Sequence, residues 1–302
     1  MVEEAKKKIL ITGIKGMLGC DLFETLKAEY QPYGIDVKDK QAPGEADFFP
    51  YDLTDKQGLE SAFREIKNLW LVIHTAAFTD VDGCEQDPAK AAIVNVQGTK
   101  NIVELAQKYR TKFVYVSTDY VFNGKKGSAY TEKDIPDPLS VYGQTKLEGE
   151  NFIRTNLEKF LIIRTSWLFG KKGKNFVDTI IDNARGADTL RVVDDQRGSP
   201  TYTVSLAEAI KRLIDIVFVK ESKPDNFGIY HVTNSETCTW YEFAKMILAL
   251  SDISTEIVPV DSSVLKRPAQ RPALSVLDNG RYEQVTGHRL CSWKEALQTY
   301  LA

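Results

Sequence analysis

This 302-residue chain lacks an excess of either charge, a cysteine framework, a histidine cluster and any long apolar run. Its 39 basic and 42 acidic residues leave a formal charge of −3, so there is no positive field of the kind that nucleic acid or anionic lipid requires. Four cysteines (Cys20, Cys84, Cys238, Cys291) lie far apart and form no Cys-x-x-Cys, which excludes a disulfide-stapled fold and points to a reduced, cytoplasmic protein. The three histidines (His74, His231, His288) stand at no metal-ligand spacing from one another or from a cysteine, and no metal is expected. Met1 to Lys8 is charged and lacks the apolar core of a signal peptide. The longest mostly apolar run, Leu69 to Phe78, is interrupted by His74 and is too short to span a bilayer. What is present is ordinary globular usage, 43% hydrophobic and 27% charged, in a chain long enough for one large or two modest domains.

The first half alternates short apolar runs with longer helical patterns. Strands are predicted at Lys8–Thr12, Tyr33–Asp36, Phe48–Tyr51, Trp70–Thr75, Lys112–Ser117 and Phe160–Arg164. These runs are apolar throughout, as strands covered by helices on both faces should be. Helices are predicted at Met17–Glu29, Lys56–Lys67, Pro88–Tyr109 and Val141–Asn156. Such alternation implies an α/β fold, a Rossmann-type doubly wound parallel sheet with right-handed crossovers. The second half has shorter strands (Leu190–Val193, Gly228–Val232, Glu256–Val260) and helices at Phe176–Arg185, Ser205–Val219, Trp240–Ser251 and Ser292–Leu301, separated by Pro/Gly-rich connectors. The expected division is a dinucleotide-binding domain, 1–170, followed by a smaller α/β substrate-binding domain, 171–302, with a soft boundary and segments free to interleave.

The first strand runs into Thr12-Gly13-Ile14-Lys15-Gly16-Met17-Leu18-Gly19 and then directly into a helix. At such a turn one glycine permits the tight bend, another lets backbone approach a pyrophosphate, and a third allows close helix–strand packing. The helix N-terminus then offers free N–H groups and a positive dipole end. The string alone is weak evidence, and a turn chosen for geometry only is the competing explanation. Asp36 adds weight, because it closes the second strand at the distance from the glycine turn expected of an acid that accepts the hydroxyls of an adenosine ribose. Asp52-Leu53, after the third strand, is a candidate adenine contact that loop polarity explains almost as well.

Tyr142 and Lys146 stand four residues apart in Ser140-Val141-Tyr142-Gly143-Gln144-Thr145-Lys146, so a helix puts them on one face. A phenol titrates near 10, and a neighbouring cation is expected to lower that value. Such a pair suits proton transfer at a carbonyl oxygen while hydride moves to carbon. Alone it is a common surface pattern. Here it accompanies Ser117-Thr118-Asp119 at the C-terminal end of a strand, where open parallel sheets place their ligands.

Thr-Gly-x-x-Gly-x-x-Gly, Ser-Thr-Asp-Tyr-Val-Phe at 117–122 and Tyr-x-x-x-Lys together resemble the extended short-chain dehydrogenase/reductase superfamily, and within it the dTDP-4-dehydrorhamnose reductase family. The similarity continues through His74–Asp82, Arg164-Thr165-Ser166-Trp167, Asp194–Thr201 and Arg267–Pro272. It implies an oxidoreductase using NADH or NADPH to reduce the C4 ketone of dTDP-6-deoxy-L-lyxo-4-hexulose, a dTDP-linked 4-keto-6-deoxy sugar, to dTDP-L-rhamnose. By the same resemblance Tyr142 donates the proton, Lys146 activates it and contacts the nicotinamide ribose, and Thr118 polarises the carbonyl. Gly13, Gly16, Met17, Leu18 and Gly19 hold the pyrophosphate, Asp36 the ribose, and Asp52 and Leu53 the adenine. Ala76, Ala77 and Phe78 line the nicotinamide side, and Thr118, Asp119 and Trp167 touch the sugar nucleotide. Phe78 departs from the histidine or tyrosine common in relatives. A homodimer is left open. The rival expectations are a sugar-nucleotide epimerase or dehydratase on the same scaffold and a non-catalytic NAD(P)-binding regulatory subunit. Related dehydratases place Asp-Glu after the threonine, whereas this chain has Asp119-Tyr120 and so lacks the carboxylate base.

Overall fold

The computed structural model describes residues 5–37, 47–220 and 223–302. Its first half alternates as the sequence predicts: β1 (Lys8–Thr12), α1 (Met17–Leu26), β2 (Gln31–Ile35), β3 (Asp47–Phe49), α2 (Lys56–Glu65), β4 (Leu69–His74), α3 (Val81–Gln86), α4 (Pro88–Ala91), α5 (Gly98–Tyr109), β5 (Lys112–Thr118), α6 (Val141–Asn156) and β6 (Phe160–Thr165). The single helix expected over 88–109 is interrupted: Ala92–Gln97 winds as a π-helix between α4 and α5. Such wide turns concentrate at functional sites. Here the turn carries Asn95, whose amide is bonded to both backbone groups of Phe78 and to the Thr145 hydroxyl of α6.

The second half adds β7 (Leu168–Phe169), α7 (Phe176–Arg185), β8 (Thr189–Val193), β9 (Arg197–Gly198), β10 (Thr201–Tyr202), α8 (Thr203–Ile214), β11 (Gly228–His231), β12 (Cys238–Thr239), α9 (Trp240–Leu250), β13 (Glu256–Val260), α10 (Gly280–Thr286) and α11 (Trp293–Leu301). The seven-stranded sheet has the order β11-β6-β5-β4-β1-β2-β3, and every pairing in it is parallel. β11 therefore leaves the second half to form the sheet's edge, and α8 packs beside α1 on one face of that sheet. The sequence shows only a short apolar strand there, with nothing to name its partner. Strand order reverses between β1 and β4, and in open parallel sheets that switch point holds the ligand at the strands' C-terminal ends.

Alternate residues of each strand feed two cores. Ile9, Ile11, Leu71, Ile73, Leu161 and Ile163 face α1 and α8, whose Leu22, Phe23, Leu206, Ile210 and Leu213 are buried against them. Leu10, Val72, Phe113, Tyr115 and Ile162 face α2, α5 and α6. This double burial explains why the strands read as unbroken apolar runs. A third core, around Phe169, Tyr202, Phe243 and Trp293, belongs to α7, α9 and α11.

Candidate active site

At the switch point a cavity of about 520 Å³ opens between the sheet and the second-half elements. The glycine turn forms one wall. Gly13 has φ +71°, and a Cβ there would lie 2.8 Å from the Ala76 backbone; at Gly19 it would lie 2.1 Å from the Gly13 carbonyl oxygen. Both positions demand glycine, because β1, α1 and the loop after β4 approach too closely for a side chain. Gly16 starts α1 with no side-chain cap, so the first-turn N–H groups are left for an anion at the wall formed by Met17 and Leu18. Asp36 lies at the far end of this wall, its Oδ2 accepting the Lys15 N–H at 2.9 Å. The Lys15 side chain folds back to donate to the Val37 carbonyl at 2.9 Å, its ammonium 3.9 Å from the Phe48 ring centroid. Beneath the turn, His74 bridges Thr12 and Thr99. Thr99 gives its only hydrogen to the Asn95 carbonyl, so His74 Nε2 must donate to Thr99 and Nδ1 must accept from Thr12. Burial pushes His74 down to about 3, and it is a neutral structural group.

α6 supplies the opposite wall. Ser140 caps it by accepting the Gly143 N–H at 3.2 Å. Gly143 and Gly149 let it approach closely: a Cβ would meet the Tyr120 carbonyl at 2.2 Å and the Tyr115 hydroxyl at 2.6 Å. Tyr142, Lys146 and Glu150 thereby share the face toward the end of β5. Lys146 Nζ donates to the Val116 carbonyl at 2.8 Å and lies 4.0 Å from the Tyr115 ring centroid. Burial pushes its ammonium down to about 7, against the pull of Glu150. The Tyr142 phenol is pushed up rather than down, first by burial and then by Asp119, against the Thr118 hydrogen bond. The expected lowering by the lysine is thus corrected: burial of the phenol decides the direction. At neutral pH this phenol keeps its proton, the state a donor needs.

Thr118 ends β5, its Oγ1 accepting the Tyr120 N–H at 3.2 Å and lying 3.0 Å from Asp119 Oδ1. Burial pushes the Asp119 carboxyl up to about 7, against the pull of the nearby Ser275 hydroxyl and of Thr118. Behind Thr118, Ser117, Arg164 and His231 stand in one register row across β5, β6 and β11. Glu150 reaches this row from α6: Arg164 donates to both its carboxylate oxygens, at 3.0 and 2.6 Å, and Ser117 donates at 2.5 Å. This ion pair is fully buried, with exposures of 1% and 0%.

The second half closes the cavity with Trp167 and Trp240, stacked at 3.6 Å and 8°. Trp167 has φ +47°, an outlier for so bulky a residue, and Gly198 clears space for its indole. Arg271 of the Arg-Pro segment grips Asp82 with two hydrogen bonds, at 3.0 and 2.8 Å, docking that segment onto the first turn of α3. Burial raises the Asp82 carboxyl, but the Arg271 and Ala269 hydrogen bonds outweigh it and hold the group below the usual range.

Of the residues predicted from sequence, Gly13, Gly16, Met17, Leu18, Gly19, Asp36, Ala76, Ala77, Thr118, Asp119, Tyr142, Lys146 and Trp167 line this one cavity. Three do not. Asp52 is exposed and closes a turn by accepting from Thr54; Leu53 packs on Gly98; Phe78 is clamped by Asn95 with its ring beneath the Lys90 ammonium. Lys38, two residues beyond Asp36, lies outside the described residues. Sequence reading passes over Lys15, Asn95, Glu150 and Trp240. Glu150 carries a signal, one further helical turn beyond Tyr142 and Lys146. The partners of Asn95 and Trp240 are too distant in the chain for any local pattern to indicate them.

Among the described residues no His/Cys/Asp/Glu group of three or more is placed to hold a metal, and no helix is long and apolar enough to cross a membrane. A doubly wound parallel sheet with a glycine turn at its switch point, and a tyrosine–lysine helix across the cavity, defines a dinucleotide-binding protein of the short-chain dehydrogenase/reductase class. The profile of the RmlD substrate binding domain matches residues 7–302, and the chain belongs to that family. It is 39% identical to the spore coat polysaccharide biosynthesis protein SpsK of Bacillus subtilis, covering 97% of this chain and 96% of that one. It is 36% identical to the dTDP-4-dehydrorhamnose reductase of Aggregatibacter actinomycetemcomitans, covering 98% of each. The crystal structure of dTDP-4-dehydrorhamnose reductase from Bacillus anthracis in complex with NADP superposes with a TM-score of 0.86 at 34% identity, again over 98% of each chain.

Proposed function

We propose that this chain reduces the C4 ketone of dTDP-6-deoxy-L-lyxo-4-hexulose to dTDP-L-rhamnose, using NADH or NADPH. The observation that carries this reading is a single cavity in which Tyr142, Lys146 and Thr118 face the glycine turn. Gly13, Gly16, Met17, Leu18 and Gly19 hold the pyrophosphate, Asp36 the adenosine ribose, and Ala76 and Ala77 flank the nicotinamide. When bound, the cofactor supplies the hydride that the ketone carbon accepts. Tyr142 gives its phenolic proton to the carbonyl oxygen, a step that contributes about 10²–10⁴-fold when the donor is well positioned. Lys146 balances the negative charge that this leaves on the phenol, Thr118 polarises the carbonyl, and Trp167 with Trp240 bounds the sugar. In this division of labour 1–170 carries the cofactor and 171–302 covers the sugar nucleotide, except that α8 and β11 return to the sheet. All four cysteines are free thiols, as befits a cytoplasmic enzyme. The direct test is oxidation of NADH or NADPH by enzymatically made dTDP-4-keto sugar, with the product identified. Stoichiometric dTDP-L-rhamnose is the expected product; no turnover with either cofactor would sink the reading.

Dehydration provides a contrasting assay. Tyr120 occupies the position of the carboxylate base, and burial followed by Asp119 pushes its phenol up, against the pull of Arg271 and Arg267. Such a group cannot take a C5 proton at neutral pH. Incubation with dTDP-glucose is therefore expected to leave it unchanged, and release of a 4-keto-6-deoxy sugar without net cofactor consumption would reassign the chain.

Both cofactors are expected to be used, since Asp36 favours a free ribose hydroxyl while the adjacent Lys15 ammonium offers charge to a 2′-phosphate. Lys15 is 7% exposed, so a hydrogen bond from it to an anion falls in the charge-assisted range of about 1.5–3 kcal/mol. Lys15→Ala should lower kcat/KM for NADPH by about tenfold or more and change NADH little, each tenfold being about 1.4 kcal/mol. An equal loss with both cofactors would assign Lys15 to the turn's architecture instead.

A further inference from the structure

Thr118 has one hydroxyl hydrogen and two uses for it. Its Oγ1 accepts from the Tyr120 N–H and lies 3.0 Å from Asp119 Oδ1. An ionised Asp119 carries no hydrogen on Oδ1, so Thr118 must donate to it and has nothing left for a ketone oxygen. A neutral Asp119 reverses that bond: its O–H donates to Thr118, and the threonine hydrogen is released toward the cavity. A second observation bears on the same group. Asp119 is 2% exposed and lines the cavity, yet its Oδ2 is buried without a hydrogen-bond partner. An anion with one bare oxygen in that position is costly. Two cations near the site are engaged elsewhere: Lys146 is bonded to the Val116 carbonyl, and Arg271 is paired with Asp82. The remaining titratable neighbours are the phenols of Tyr120 and Tyr142, with Arg267 acting beyond Tyr120.

We propose that Asp119 is a positioning residue whose neutral carboxyl turns Thr118 into a second donor, beside Tyr142, on the substrate ketone oxygen. This rests on the reductase reading of the site. The proton that ends on the substrate oxygen still comes from Tyr142; at Thr118 only the direction of a hydrogen bond changes. Burial pushes Asp119 up to about 7, so the competent form is present below neutrality and is lost as pH rises through that value.

Lys146 titrates in the same range, so the wild-type profile of kcat/KM should show two ionisations on its alkaline side. Asp119→Asn retains a donor beside Thr118 and cannot titrate. It should lose one of the two ionisations, so that its activity relative to wild type rises about tenfold per pH unit above neutrality. If that variant does not fold, Thr118→Val tests the same point, since Asp119 then has no hydroxyl to direct and its ionisation should vanish from the profile. Infrared spectra supply a readout independent of turnover: the carbonyl band of a neutral carboxylic acid should be present in wild type below neutrality, absent above it, and absent in Asp119→Asn. An unchanged alkaline limb in the variants, or no carboxyl band titrating near neutrality, overturns the inference. Failure of the reductase reading is distinguishable, because it appears as absence of turnover in the wild type itself.

Discussion

Tyr142→Phe is expected to lose at least about 10²-fold in kcat with the 4-keto sugar, the range for removal of a positioned acid. The substitution deletes one oxygen and leaves the ring, which meets Tyr120 edge-on at 6.1 Å. Packing and cofactor affinity should therefore change little, and the loss should fall on kcat rather than on cofactor KM. Burial, the largest influence on the phenol, holds it in the protonated state that a donor needs. Lys146→Met should behave differently. It removes a buried cation anchored on Val116, and it should weaken cofactor binding as well as turnover. Single-turnover kinetics with each variant separate the two effects. Near-normal turnover in Tyr142→Phe would end the proposed mechanism.

Glu150→Ala should be the most destabilising of the substitutions considered. It strands the Arg164 guanidinium at 1% exposure, with Nε and Nη2 deprived of their acceptor and Ser117 of its own. Breaking one side of a buried ion pair costs about 3–5 kcal/mol, a large share of the roughly 5–15 kcal/mol by which domains are stable. His231 cannot compensate, because burial and then Arg164 push it down to about 3 and leave it a neutral acceptor, 3.5 Å from Arg164 Nη1. The expected signature is a denaturant midpoint lowered at unchanged slope, by that free energy divided by the slope. Glu150→Leu combined with Arg164→Met, which removes both charges, should recover most of the loss. A shift under about 1 kcal/mol for Glu150→Ala would mean that the pair is open to water.

Much of the sheet was legible from sequence because each strand is buried on both faces, which writes a continuous apolar run over 8–12, 112–118 and 160–165. The helix over 141–156 was legible for a similar local reason: Ser140 caps it, and its buried residues recur at helical spacing. The interruption at Ala92–Gln97 was not legible. Its π turn is stabilised by Asn95 bonding to Phe78 and Thr145, and neither partner is a sequence neighbour. Asp52 and Leu53 show what a local reading leaves out. The loop following a third strand has the right polarity for an adenine contact, but the Asp52 carboxylate is used in its own turn and Leu53 faces Gly98.

What the sequence determined by itself was the class of fold, the glycine turn and the tyrosine–lysine pair. These depend on residues within one or two helical turns, where backbone geometry alone decides who faces whom. Tertiary structure decided the rest. It made 228–231 the edge of the main sheet, laid Trp240 on Trp167, joined Arg271 to Asp82, and buried Glu150 against Arg164. It also set the protonation of the site, raising Tyr142 and Asp119 and lowering Lys146. The physical reason is common to all of these. Pairing between distant segments, and the desolvation that shifts a pKa, depend on which surfaces pack together, and no local window of sequence contains that information.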